Sequence, residues 1–259
     1  MQPQMQESKT AHPKVVSEKE WLAARKELLT AEKEFDRQRD ALSAKRREMP
    51  WVKVEKNYIF GEPSGKVSLS GLFRDKSQLI VYHFMLGPGW KEGCHGCSYV
   101  ADHFDGMQPH LNARDVAFTA ISRATRPEIA AFKKRMGWNF HWVSSNANDF
   151  NFDYNVSFTA KDRIDGKVYY NYGLREFPAD EAQGLSVFCK NDAGEIFHTY
   201  STYSRGLDIL IGTYNYLDLL PKGRDEEGLS FSMSWLRHHD RYENYQLDPN
   251  ATYQAPTTR

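Results

Sequence analysis

Cys94-His95-Gly96-Cys97 sets two thiols apart by two intervening residues, a spacing at which both sulfurs can meet across the first turn of a helix and close a short disulfide. The apolar run 79–86 precedes the pair and passes into it through Gly87-Pro88-Gly89. A buried strand that ends in a Gly/Pro loop and delivers two cysteines to the start of a helix is a redox arrangement. Unpaired backbone N–H groups at such a helix start stabilise a thiolate, the nucleophilic form of cysteine. Cys94, first and more exposed, is the expected attacking thiol, and Cys97 is expected to resolve the mixed disulfide. This chemistry requires no organic cofactor. Its substrate is a thiol or disulfide, carried by a protein or a small molecule.

Three neighbours bear on the pair. An imidazolium at His95 would favour the thiolate, Lys91 would add positive charge, and Trp90 would cover the disulfide or wall the substrate side. Each also has a plainer reading, as solvated charge or loop packing. A metal is the competing chemistry, but zinc needs two more ligands and the chain has no second CxxC. His103, His198, His238 or His239 would have to supply them, and His103 sits on the wrong helical face. The polar run 199–203 with Arg205 and Asp208 reads either as a substrate groove, with Tyr200, Tyr203 and Arg205 lining it, or as a loop whose Ser204 caps a helix. His238-His239-Asp240 reads as a charged surface cluster ahead of a proton relay. Cys189 reads as an inert strand thiol.

Positioning the cysteines falls to a strand over 79–86, a helix from 94 to about 112, a second buried strand over 115–122 and a helix over 127–136, with Pro127 at its start and Gly137 after its end. The two strands of this βαβα unit should be parallel with a right-handed crossover. A hairpin over 58–70 leads into the unit. A strand over 138–145, an irregular insertion over 146–183, a hairpin over 185–200 turning at Asn191-Asp192-Ala193-Gly194, and a helix over 207–220 follow it. Ahead of all this lies a long amphipathic helix over 17–49. It opens with a capping box at Ser17 and Glu20 and carries Trp21, Leu28, Phe35 and Leu42 at heptad spacing. That seam suits packing on its own domain or on a partner helix, including that of a homodimer. Residues 1–16 read as a disordered lead, 50–243 as the main domain, and 244–259 as a loose tail.

Composition narrows the class. The 34 Lys and Arg balance 34 Asp and Glu, so the broad basic surface that nucleic acid or anionic lipid demands is missing. No stretch reaches the length of a transmembrane helix, and the polar start lacks an export pattern, which predicts a cytoplasmic protein. Three cysteines are too few for a disulfide scaffold, so a close pair reads as catalytic or metal-binding.

The order of elements is that of an α/β thioredoxin-like fold: a central mixed sheet flanked by helices, here with a long N-terminal helix and an insertion before the last β-hairpin. Beyond that order, the chain resembles the bacterial thioredoxin-like family of domain of unknown function 899, some of whose members are labelled dithiol-disulfide isomerases. Gly93-Cys94-His95-Gly96-Cys97-Ser98, Leu185-Ser186-Val187-Phe188, the run 197–203 with Arg205-Gly206-Leu207-Asp208, and His239-Asp240 carry the resemblance, which spans about 18–242. It implies thiol–disulfide exchange at Cys94 and Cys97. The alternative is a non-catalytic binding or scaffold protein on the same frame, with the cysteines incidental or holding a metal. Two departures qualify the analogy. Gln183-Gly184 stands where well-characterised thioredoxins carry a cis-proline, and Gly87 and Lys91 replace the proline and Thr or Ser that precede a peroxiredoxin's reactive cysteine.

Overall fold

A computed structural model of the chain describes residues 13–242, which form two compact units that divide after Met49. The expected tail over 244–259 and most of the expected lead over 1–16 fall outside the described residues. The first unit is the helix α1 (Glu18–Arg47), started by the Ser17/Glu20 capping box and ended by Lys45, Arg46 and Arg47, whose charge suits a helix C-terminus. None of its residues is buried, and Trp21, Leu28, Phe35 and Leu42 stand exposed along the heptad face.

The second unit is built on an eight-stranded mixed sheet. Its strands are β1 (Val52–Lys53), β2 (Ile59–Glu62), β3 (Gly65–Ser68), β4 (Gln78–His83), β5 (Val116–Ser122), β6 (Trp142–Ser144), and, after a separate hairpin of β7 (Lys167–Tyr170) and β8 (Gly173–Glu176), β9 (Gly184–Lys190) and β10 (Ile196–Tyr203). The spatial order is β1-β10-β9-β4-β5-β6-β2-β3. The apolar runs that predict β4 and β5 pair in parallel, Leu79 opposite Ala117 and Tyr82 opposite Ala120, while β9 lies antiparallel on the other side of β4. This is the expected thioredoxin-like arrangement. The helices are α2 (Leu69–Leu72), α3 (His95–Ala101), α4 (Phe104–Asn112), α5 (Arg126–Arg135), α6 (Phe150–Asp153) and α7 (Gly212–Leu217).

Because side chains alternate along a strand, β4 feeds two cores. Leu79 and Val81 join Phe60, Phe150 and Phe188 on one face, whereas Tyr82 and Phe84 join Cys97, Phe104, Phe132 and Trp142 on the other, beneath α3 to α5. Edge-to-face rings dominate the second core; Phe104, for instance, meets Tyr82 with ring centroids 5.0 Å apart.

Several expected elements take a different form. The helix predicted from 94 to 112 is two helices, broken at Asp102 and His103, where the His103 ring reaches the Tyr99 carbonyl at 2.9 Å and Thr213 at 3.2 Å. The strand predicted over 138–145 shortens to β6. The helix predicted over 207–220 is a 3-10 segment (Ser204–Leu210) followed by α7. Ser204 does not cap it, since it lies inside the 3-10 segment with φ of 51°. Glu226 Oε1 accepts from the Tyr214 hydroxyl, the Met233 N–H and the Trp235 indole within 3.0 Å, tying α7 to the segment that follows. The insertion over 146–183 contains α6 and the β7–β8 hairpin.

Candidate active site

The cysteine loop lies on the second core because residue 93 is glycine: a Cβ there would come within 2.6 Å of both the Phe84 and Phe132 rings. Backbone bonds fix it to the sheet and to α5, with the Cys94 N–H donating to the Met85 carbonyl at 3.1 Å and the Gly89 N–H to Glu128 at 2.8 Å. Cys94 becomes the N-cap residue of α3, half-buried, while Cys97 is fully buried one turn on; both are free thiols.

The two sulfurs are electrostatically unequal. The Cys97 thiol donates to the Cys94 sulfur, and the backbone N–H groups of Cys97 and Gly96 add to it; together they outweigh burial and pull the Cys94 thiol down to about 7. Burial, and then the neighbouring Cys94, hold the Cys97 thiol well above the ordinary range. One sulfur is thus poised to ionise near neutrality and the other to stay protonated. The Cys97 proton has a second acceptor in Gln183 Oε1, 3.7 Å from the sulfur, while the Met85 N–H donates to that sulfur at 3.4 Å. Gln183 was not singled out as a site residue in the sequence. Its signal was its place just before β9, where thioredoxins carry proline.

His95 follows Cys94 as the exposed first residue of α3, Trp90 is half-buried against the second core, and Lys91 is exposed on the same loop. The Trp90 indole covers Gly87 next to Glu181, a buried carboxylate that accepts from Ser157 and Arg123 at 2.6 and 2.9 Å. The His95 ring packs edge-on against His238, their centroids 4.4 Å apart. The structure corrects the reading of His238 as part of a surface cluster. It is 2% exposed, donates from Nε2 to the Gly93 carbonyl at 2.9 Å, and accepts at Nδ1 from Arg135 at 3.1 Å. The His238 ring packs edge-on against Phe132 of the second core, and burial keeps that imidazole's pKa low.

Tyr200, Tyr203 and Arg205 differ in exposure. The Tyr203 ring is buried against Gly184, its hydroxyl donating to the Tyr154 carbonyl at 3.1 Å, whereas Arg205 is exposed and pairs with Asp208. Tyr200 lies half-buried opposite Val187. Glu92, His95 and His238 bring three ligand-type atoms within 4.8 Å of one another. Two guanidiniums already neutralise Glu92, from Arg135 at 2.9 Å and Arg241 at 2.7 Å, and Arg135 also occupies His238 Nδ1. A cation would have to displace both, so these residues do not fit a metal. Among the described residues no helix is long and apolar enough to cross a membrane.

The fold is similar to the peroxidoxin BcpB of Mycobacterium tuberculosis, 13% identical over 64% of this chain and 95% of that one with a TM-score of 0.43. It is also similar to a PrxQ mutant of Xylella fastidiosa, 12% identical over 64% and 94% with a TM-score of 0.41. A likeness at that level says nothing of activity. No curated protein matches the chain in sequence. The profile described as "Bacterial protein of unknown function (DUF899)" matches residues 10–242, which include the cysteine loop, the β9–β10 hairpin and the His238 clamp, and the chain belongs to that family.

Proposed function

We propose that this protein is a thiol–disulfide oxidoreductase in which Cys94 is the nucleophile and Cys97 the resolving thiol. The observation that carries the reading is the asymmetry of the pair: a half-buried thiol with pKa near 7 one helical turn from a buried thiol that donates to it. In each cycle the Cys94 thiolate attacks a substrate disulfide and releases one substrate thiolate. Cys97 then loses its proton and attacks Cys94, forming the Cys94–Cys97 disulfide and releasing the second thiolate. The substrate gains the two electrons that the pair loses, and an external dithiol returns them. The half-buried nucleophile favours a disulfide exposed on a flexible segment or a small molecule over one buried in a folded domain.

The test is a redox titration in graded dithiol buffers with trapping of free thiols. A reversible two-electron transition between about −120 and −270 mV, abolished in Cys94→Ser and Cys97→Ser, is expected. Thiols that stay reduced across that range, or variants that retain the transition through Cys189, would overturn the reading.

A further inference from the structure

Tyr82 is the β4 residue whose side chain enters the core under α3, and it is fully buried. Its hydroxyl makes no hydrogen bond in the resting dithiol. That is costly for a buried O–H, and such an orphan calls for an explanation. The sulfur of Cys97 lies beside it, close enough that a hydrogen bond from the Tyr82 hydroxyl would favour the Cys97 thiolate. A thiol accepts hydrogen bonds weakly, whereas a thiolate accepts them strongly. The hydroxyl therefore lacks a partner in the state where Cys97 is protonated and gains one when that sulfur carries charge.

We propose that Tyr82 is a catalytic residue of the exchange reaction, donating its hydroxyl hydrogen bond to the Cys97 sulfur as that sulfur becomes a thiolate. The inference rests on the oxidoreductase reading and names the group that serves its second step. Three groups then surround the resolving sulfur with distinct tasks. Gln183 Oε1 accepts from the thiol, the Met85 N–H donates to the sulfur, and the Tyr82 hydroxyl answers the charge. When the mixed disulfide resolves, Cys97 gives up a proton that the departing substrate thiolate takes up. The Cys97–Cys94 S–S bond forms as the Cys94–substrate bond breaks. In the reverse direction an incoming thiolate attacks Cys94 and Cys97 leaves as the thiolate, again facing Tyr82. The hydroxyl stays protonated throughout, since burial, and next the charge of Cys97, push its pKa well up. It stabilises the charge without transferring a proton.

Reaction of the reduced protein with 5,5′-dithiobis(2-nitrobenzoate) separates the two steps. Cys94 releases one thionitrobenzoate on attack, and Cys97 releases the second on resolution. In Tyr82→Phe the first phase should keep its wild-type rate and pH profile, while the second slows about tenfold at neutral pH and its profile moves to higher pH, as expected for a lost charge-assisted hydrogen bond. The unaltered first phase serves as the control for folding. A Tyr82→Phe second phase within about twofold of wild type would sink the assignment while leaving the oxidoreductase reading intact. A wild-type protein with no Cys97-dependent second phase would instead sink that reading, and this inference with it.

Discussion

At the scale of single residues the site turns on one proton shared among sulfurs. Because a hydrogen bond from Cys97 is the largest influence lowering the Cys94 pKa, the two cysteines are not interchangeable with any small residue. Alkylation of Cys94 by iodoacetamide should follow a titration with its midpoint at about 7. Cys97→Ala should move that midpoint upward toward an ordinary thiol, whereas Cys97→Ser, which keeps a donor, should move it less. An equal midpoint in the two variants would mean that the backbone N–H groups of α3 alone set the nucleophile. The spacing of the cysteines and their place behind a buried strand were readable in the sequence. Gln183 and Tyr82 were not, because their approach to Cys97 comes from the residue just before β9 and from β4, which only the folded sheet brings under α3.

At the scale of elements, the loop between β4 and α3 is shaped by what it rests on. Gly93 is the point of closest approach, and Gly93→Ala must push apart two buried aromatic rings. We expect a loss of about 1–3 kcal/mol of stability in denaturant unfolding, the range for an extra methyl in a packed core. The midpoint of Cys94 alkylation should rise with it as the loop shifts. Wild-type stability in that variant would mean that the rings move aside freely. The apolar runs and turn residues made β4, β5, α5 and the β9–β10 hairpin legible, since each is a local pattern of period, Gly and Pro. The break between α3 and α4 and the collapse of the predicted helix over 207–220 were not, because both depend on distant partners. His103 bonds Thr213, and Glu226 gathers Tyr214, Met233 and Trp235. A helical pattern in sequence does not record a carboxylate that will arrive from outside it.

At the scale of the whole second unit, buried charge sets how stability depends on pH. Glu181 is raised to about 7, burial being the main cause, against a reference of 4.5. Between those values the folded state binds more protons than the unfolded state, so through this group stability falls as pH rises from about 4.5 to about 7. The span corresponds to roughly 3 kcal/mol. Glu181→Gln keeps an acceptor for Arg123 and should flatten that slope in urea unfolding measured at several pH values. An unchanged slope would assign the pH dependence elsewhere.

The sequence by itself determined the chemistry on offer and the frame that presents it: a thiol pair behind a buried strand, two parallel strands with helices between them, a hairpin beyond, and a capped amphipathic helix ahead. These follow from short-range patterns of hydrophobicity, turn residues and spacing, which act within one element at a time. Tertiary structure alone decided the surroundings of the pair. It buried His238 beneath the loop instead of leaving it in solvent, because a ring donating to the Gly93 carbonyl fills the space beside Phe132. It set Arg135 and Arg241 on Glu92, buried the Tyr203 ring against Gly184 and left Arg205 exposed beside Asp208. Above all it placed Tyr82 and Gln183 at the Cys97 sulfur. A group's pKa and hydrogen-bond partners depend on atoms a few ångströms away in space, whatever their distance along the chain.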